Sequence, residues 1–349
     1  MPAPLCAHAV YACKGRAILE TVATVDTATL EDEYATLTEH CGLVDRSERG
    51  KLALTGSGAV EFLNGQVTNE LIGLKPGAGC YAAFLTHKGK MLGDLRILAV
   101  SEDPDTEPSE LLLDTERVAL QALFDMIRRF KVGYDVELHK RTLERSLLSL
   151  IGPQTDEFAE RAFGSRVPQD EHAHQLTELD KSHVRLIRTD LGIELLFESQ
   201  ALDAVRKALV DAGAVEVSED AAEIVRVEHG RPRYGIDLDD TTIPQEAGLN
   251  ERAISFTKGC YVGQETVARL HYRGKPNRHL RGLRLSEPVE SGAELRLGER
   301  PVGHLGSSVL SPRFGPIGLA LVRREAEPGA TLIAGEGDAT ASVLELPFS

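Results

Sequence analysis

At 349 residues the chain is long enough for two or three domains of ordinary size, and 42% hydrophobic with 27% charged residues is the composition of a soluble globular protein. The formal charge of −15 opposes non-specific binding to nucleic acid or to an anionic membrane. Five scattered cysteines (Cys6, Cys13, Cys41, Cys80, Cys260) form no Cys-x-x-Cys pair, which argues against a disulfide framework and a zinc module.

The N-terminus lacks a basic stretch leading into a long apolar run, and no window approaches the roughly 18–20 apolar residues needed to cross a bilayer. A reducing, cytoplasmic setting is expected. In chain order, 22–30 reads as a loop and 31–40 as a short helix. A strand over 51–55 leads through Gly56-Ser57-Gly58 into a helix from Ala59. The Gly-x-Gly turn lacks the third glycine of a dinucleotide site, since Glu61 stands there, and Ser57 as an N-cap explains it better. Apolar residues over 80–85 are followed by strands over 91–100 and 111–114, joined by an acidic, proline-containing tip. Helical spacing of Val118, Leu120, Leu123, Phe124, Ile127 and Phe130 predicts a helix with one buried face.

Strands are then expected over 134–138 and 146–151, a hairpin over 184–188 and 194–197, and an amphipathic helix over 202–212. The segment 154–182 is polar, and its His172 and His174 read as solvated side chains rather than metal ligands. Strands with helices between them, and no strict βαβ alternation, predict an α+β fold with mixed or antiparallel sheets. After about residue 278, short apolar runs separated by Gly- and Pro-rich turns predict a small β-barrel or sandwich.

The octapeptide Lys258-Gly259-Cys260-Tyr261-Val262-Gly263-Gln264-Glu265 sets a cysteine between two glycines that permit tight backbone geometry. Lys258 is a cation that would favour the Cys260 thiolate. The alternative is a turn into a helix with a small cysteine packed beneath it. As a nucleophile Cys260 would want a histidine, with His229 or His271 as candidates. As a ligand it is one thiolate, short of the four that a four-iron cluster takes. Downstream, Arg269, Arg273, Lys275, Arg278, Arg281 and Arg284 stand with no acidic residue among them. They suit an anionic tail or another anion near the cysteine, an acidic protein or RNA, or they pair with carboxylates of the same fold.

Residues 42–51 (Gly-Leu-Val-Asp-Arg-Ser-Glu-Arg-Gly-Lys), 62–69 (Phe-Leu-Asn-Gly-Gln-Val-Thr-Asn), 226–235 (Arg-Val-Glu-His-Gly-Arg-Pro-Arg-Tyr-Gly) and 243–247 (Ile-Pro-Gln-Glu-Ala) resemble glycine-cleavage T-protein, the aminomethyltransferase. The octapeptide resembles the signature of a sub-branch, the YgfZ-type proteins, folate-binding relatives implicated in iron–sulfur cluster assembly or repair. The resemblance implies a folate-binding α+β region over 1–273, in one or two subdomains, and a C-terminal barrel over 274–349. It implies tetrahydrofolate or a related folate as cofactor and no resident metal. Iron–sulfur client or assembly proteins, including tRNA-modifying enzymes, are the implied partners, with no membrane and no sequence-specific nucleic-acid binding. Cys260 and Lys258 are the implied functional pair, Asp94 a candidate acid–base group, and Arg226, Asp94, Tyr81, Gln264 and Glu265 the implied folate contacts.

The chain also departs from the T-protein pattern. Only one carboxylate remains at Gly93-Asp94, an expected asparagine stands as Asp114, and 188–194 is short and lacks the glutamate that holds the pterin ring. The two activities in view are therefore a non-catalytic or weakly catalytic maturation factor and a true aminomethyltransferase. A folate domain of an oxidase is disfavoured because no flavin-binding region is present.

Overall fold

The computed structural model describes residues 27–101, 103 and 105–349. Cys6, Cys13 and the first part of the expected 22–30 loop lie outside the described residues. The elements up to the middle of the chain are α1 (Thr27–Glu39), β1 (Gly42–Asp45), β2 (Gly50–Thr55), α2 (Ala59–Asn64), β3 (Gly79–Leu85), β4 (Met91–Val100), β5 (Glu110–Thr115), α3 (Leu120–Phe130), β6 (Glu137–Lys140) and β7 (Arg145–Ile151). There follow α4 (Thr155–Phe163), β8 (His174–Leu179), β9 (Ser182–Arg188), β10 (Gly192–Glu198), α5 (Leu202–Ala212), β11 (Val215–Glu216), α6 (Glu219–Glu228), α7 (Asn250–Ala253) and α8 (Gln264–Arg273). Last come β12 (Arg278–Leu285), β13 (Glu294–Leu297), β14 (Arg300–Ser311), β15 (Gly315–Arg323), β16 (Thr331–Ala334) and β17 (Thr340–Leu344).

The strands build two open sheets and a closed barrel. One sheet has the order β11-β1-β7-β10-β9-β8, the other β3-β4-β5-β2-β6, and the barrel runs β12-β15-β14-β13-β16-β17. Pairing is antiparallel throughout except between β1 and β11. This is the expected α+β fold with a small C-terminal barrel. The two open sheets meet face to face through apolar side chains. Ala53, Leu98 and Leu112 of one pack against Leu147, Ile187 and Leu196 of the other. Burying such alternating apolar faces, at ~25 cal/mol per Å², is the main force holding the layers together.

Four expectations are corrected. Helix α3 starts two residues later than its periodicity suggested, because Ala119 and Leu120 first close a turn on Glu116 and Arg117. Val118 and Phe130 are accordingly exposed, while Leu123, Met126 and Ile127 make the buried face. Ser57 is not the cap of α2. Gly58 holds that position, and the Ser57 hydroxyl donates to Asp135 Oδ2 at 2.7 Å. The strand expected over 134–138 lies at Glu137–Lys140, since 131–135 is a turn whose Tyr134 ring leans on Phe62. His172 and His174 are not solvated: both are buried, because the end of β3 and the neighbouring strands cover them.

The barrel is fastened to the rest through α6. Glu228, at the helix end, accepts hydrogen bonds from Tyr34 of α1 at 3.0 Å and from Ser311 of β14 at 2.5 Å. Arg226, on the same helix, bonds Asp237 at 2.9 Å and Glu223 at 2.5 Å, and donates to Ser307 of the barrel and the Arg231 carbonyl.

Candidate functional site

A cavity of about 130 Å³ lies between the two open sheets. Strands bring Tyr81 from β3, Arg96 from β4, Asp114 from β5, Ser149 to Ile151 from β7 and Glu194 from β10 to its wall. Loops and α7 add Arg46, Arg49, His172, Asp190 and Arg252. From β4 only Arg96 reaches the wall; Asp94, two positions away on the same face, stays beneath it, and Tyr81 pairs in register with Arg96.

Charges on the wall are paired. Arg96 binds Asp114 and, at 2.5 Å, Glu194; Arg49 binds Asp114 at 2.7 Å and also Glu116. Burial works against the Asp114 carboxylate, but Arg96 and Arg49 outweigh it and hold it below the ordinary range. The 188–194 segment brings two carboxylates to the cavity: Asp190, bonded by Arg231 at 2.5 Å, and Glu194. Both are already engaged by arginines of the same fold.

Tyr81 faces the cavity and donates its hydroxyl to Asp94 Oδ2 at 2.6 Å. Asp94 itself is buried and not on the wall. Burial raises its pKa from 3.8 to about 6, against the Tyr81 hydrogen bond, which favours the charged form. The Arg252 guanidinium sits 4.9 Å from the Tyr81 ring centre. The His172 ring lies nearly parallel to that ring, at 22° and 6.3 Å between centroids. Near neutral pH the pair offers an acceptor held in place by a phenol.

A larger cleft of about 920 Å³ shares Ile151, Thr189, Asp190 and Leu191 with the cavity. Arg188, His229 and Arg313 line it. The cavity is smaller than the several hundred Å³ of a site that encloses a drug-sized molecule. It would enclose a planar ring, with the remainder of a ligand lying in the cleft.

The other expected site residues are placed elsewhere. Arg226 does not line the cavity; its guanidinium is taken up by the acids and hydroxyl described above. Lys258 is buried, and its ammonium donates to the carbonyls of Asn64, Val67 and Asn69 at 2.7, 2.9 and 2.5 Å. Burial lowers its pKa to about 8. It holds the chain after α2 rather than turning toward Cys260.

Gly259 has no neighbour within 4 Å of a built Cβ, whereas Gly263 is needed. At φ 85° it caps α8, and a Cβ there would meet the Thr86 carbonyl at 2.7 Å. Cys260 is exposed, as is Glu265, and Gln264 is half-buried at the start of α8. The other described cysteines, Cys41 and Cys80, are pushed up to about 12 by burial. Of the basic stretch, Arg278 pairs with Glu246 and Arg281 with Glu345, while Arg269, Arg273, Lys275 and Arg284 are exposed. Among the described residues no cluster of His, Cys, Asp or Glu is placed to hold a metal, and no helix is long and apolar enough to cross a membrane.

Comparison with known proteins decides the family. The model of the GCVT N-terminal domain matches residues 14–258. The chain belongs to that family. Within the GCVT relatives, a chloroplastic protein of Arabidopsis thaliana named as a transferase is 28% identical over 314 residues, covering 88% of this chain and 71% of the relative. The aminomethyltransferase of Rubrobacter xylanophilus is 26% identical over 332 residues, covering 93% and 87%. The crystal structure of glycine cleavage system aminomethyltransferase T from Bartonella henselae shares the fold, with a TM-score of 0.81 at 24% identity over 92% of this chain and 89% of that one.

Sequence reasoning missed most of the cavity wall. His172, Arg252, Asp190 and Glu194 reach it only through long-range packing. Arg96 was findable, because a charge two positions from Asp94 in an apolar strand shares its face.

Proposed function

We propose that the chain binds tetrahydrofolate or a related folate, with the pterin ring in the cavity between the sheets and the tail in the adjoining cleft. The observation that supports this reading is the fit of the wall. It offers a ring-sized space beside Tyr81, polar groups from Thr189, Asp190, His172 and Arg252, and an outlet toward Arg188 and Arg313 that suits a carboxylate tail. Of the folate contacts implied by resemblance, Tyr81 makes direct contact and Asp94 acts through it. Arg226 serves the frame, tying α6 to the barrel, whereas Gln264 and Glu265 on α8 line neither the cavity nor the cleft. Tetrahydrofolate would supply one-carbon chemistry when bound; these residues orient its ring and hold a proton acceptor near it. Titration with tetrahydrofolate by calorimetry tests the reading, and absence of binding by the wild type would sink it.

The finer reading is a maturation factor for iron–sulfur enzymes, working as a weak catalyst or none. It is supported by the YgfZ-like octapeptide and by the exposure of Cys260 on the loop before α8, where a partner protein can reach the thiol. The cluster is then cargo, shared with a client or assembly protein. A Cys260→Ser strain should keep the protein folded and lose activity of cluster-dependent enzymes; unchanged activity would remove the reading.

The Tyr81–Asp94 pair favours a second reading, aminomethyl transfer to tetrahydrofolate with Asp94 as the acid–base or positioning group. Mixing the protein with the other glycine-cleavage components and assaying methylenetetrahydrofolate separates the two.

A further inference from the structure

His172 carries two costs that its own fold does not offset. Neither ring nitrogen has a hydrogen-bond partner among the described residues, although the side chain is only 9% exposed. Nε2 lies 3.5 Å from Glu171 Oε1, but that oxygen accepts from Arg252 and makes no hydrogen bond with the ring. A buried polar group left unpaired costs about 1–3 kcal/mol. The backbone adds a second cost. His172 has φ 67°, in the left-handed region where a residue other than glycine is disfavoured by roughly 1–2 kcal/mol. Such strain persists where surrounding contacts impose it, and it concentrates at ligand-binding sites.

Both costs fall on the cavity wall, beside Tyr81 and within the same lining as Asp190 and Arg252. Resting on the folate reading above, we propose that His172 is a specificity-determining contact for the ligand's ring, hydrogen-bonding its polar edge through one unpartnered imidazole nitrogen. Burial, with Arg96 and Arg252 nearby, lowers the pKa of the imidazole to about 4. The ring is neutral at physiological pH and presents one N–H donor and one lone pair. The two nitrogens point away from one another, so one of them meets the polar edge of a heteroaromatic ring, as donor or as acceptor according to the tautomer. The side chain takes a role that the paired carboxylates Asp114 and Glu194 have little capacity left to fill.

The test uses the full chain. His172→Gly removes the ring and suits the left-handed backbone, so its thermal midpoint should equal or exceed that of the wild type. Its affinity for tetrahydrofolate, titrated anaerobically, should fall about ten-fold, the size of one lost hydrogen bond to a buried group. In the ¹⁵N-labelled wild type, the His172 ring-nitrogen resonances should move on adding tetrahydrofolate. Equal affinity of His172→Gly and wild type, or ring resonances that stay in place while the wild type binds, would overturn the assignment and leave the folate reading standing. A wild type that binds no tetrahydrofolate would overturn the folate reading, and the assignment with it.

Discussion

Tyr81 and Asp94 are joined by a 2.6 Å hydrogen bond that places a cavity-facing phenol in front of a buried carboxyl. The phenol stabilises the charge that burial penalises, and the balance leaves the carboxyl titrating near 6 rather than 3.8.

That balance has a pH signature. Between 3.8 and about 6 the folded chain binds a proton that the unfolded chain has released. The contribution of Asp94 to stability is thus complete below about pH 4 and is lost as pH rises through 6. At 1.36 kcal/mol per unit the loss is on the order of 3 kcal/mol. Asp94→Asn has no such titration, so its stability relative to wild type should improve by roughly that amount between pH 4 and pH 8. Urea unfolding at the two pH values measures it. Tyr81→Phe should move the inflection upward, because it removes a bond that favours the charged form.

Arg226 is expected to matter for stability. Its partner Asp237 has a fully buried side chain, and removing one member of a buried pair costs about 3–5 kcal/mol. Arg226→Ala should lower the chemical-denaturation midpoint accordingly. An unchanged midpoint together with weakened tetrahydrofolate binding would instead make Arg226 a ligand contact.

Lys258 and Cys260 should separate cleanly. Lys258→Met strips three carbonyls of their donor and should cost a few kcal/mol, at about 1 kcal/mol or more per bond. Cys260→Ser changes an exposed side chain and should stay within about 0.5 kcal/mol of wild type. Thermal and urea unfolding of the two variants decide the matter.

Gly263→Ala should destabilise by more than 1 kcal/mol. It combines a positive φ with a Cβ contact at 2.7 Å to the Thr86 carbonyl. Gly259→Ala, in open space, should be close to neutral, and unfolding curves of the pair test the contrast.

Elements whose pattern is local were legible in the sequence. Helix α5 has the 202–212 limits its amphipathic spacing gave, and the barrel strands followed from apolar runs cut by Gly and Pro. Four-residue β1 is too short for a period to register, and the polar composition of 154–182 hid α4. In the site, Tyr81 and Asp94 were visible through resemblance, whereas His172 looked solvated because the strands that bury it are far away in the chain. Lys258 looked like a neighbour of Cys260 because only two positions separate them. Its long side chain instead reaches carbonyls nearly two hundred residues earlier, and no spacing rule predicts that.

Tyr34 and Ser311 meet on the carboxylate of Glu228, with 194 positions between Tyr34 and Glu228. During synthesis Tyr34 leaves the ribosome first and waits for α6, which at ~5–20 residues per second takes roughly 10–40 s. Throughout that interval Leu37, on the same helix, lacks Val225 and Ile224, its eventual neighbours in the core. The nascent chain thus carries an apolar helix face that earlier-made Val44 and Ile151 cover only in part until α6 arrives.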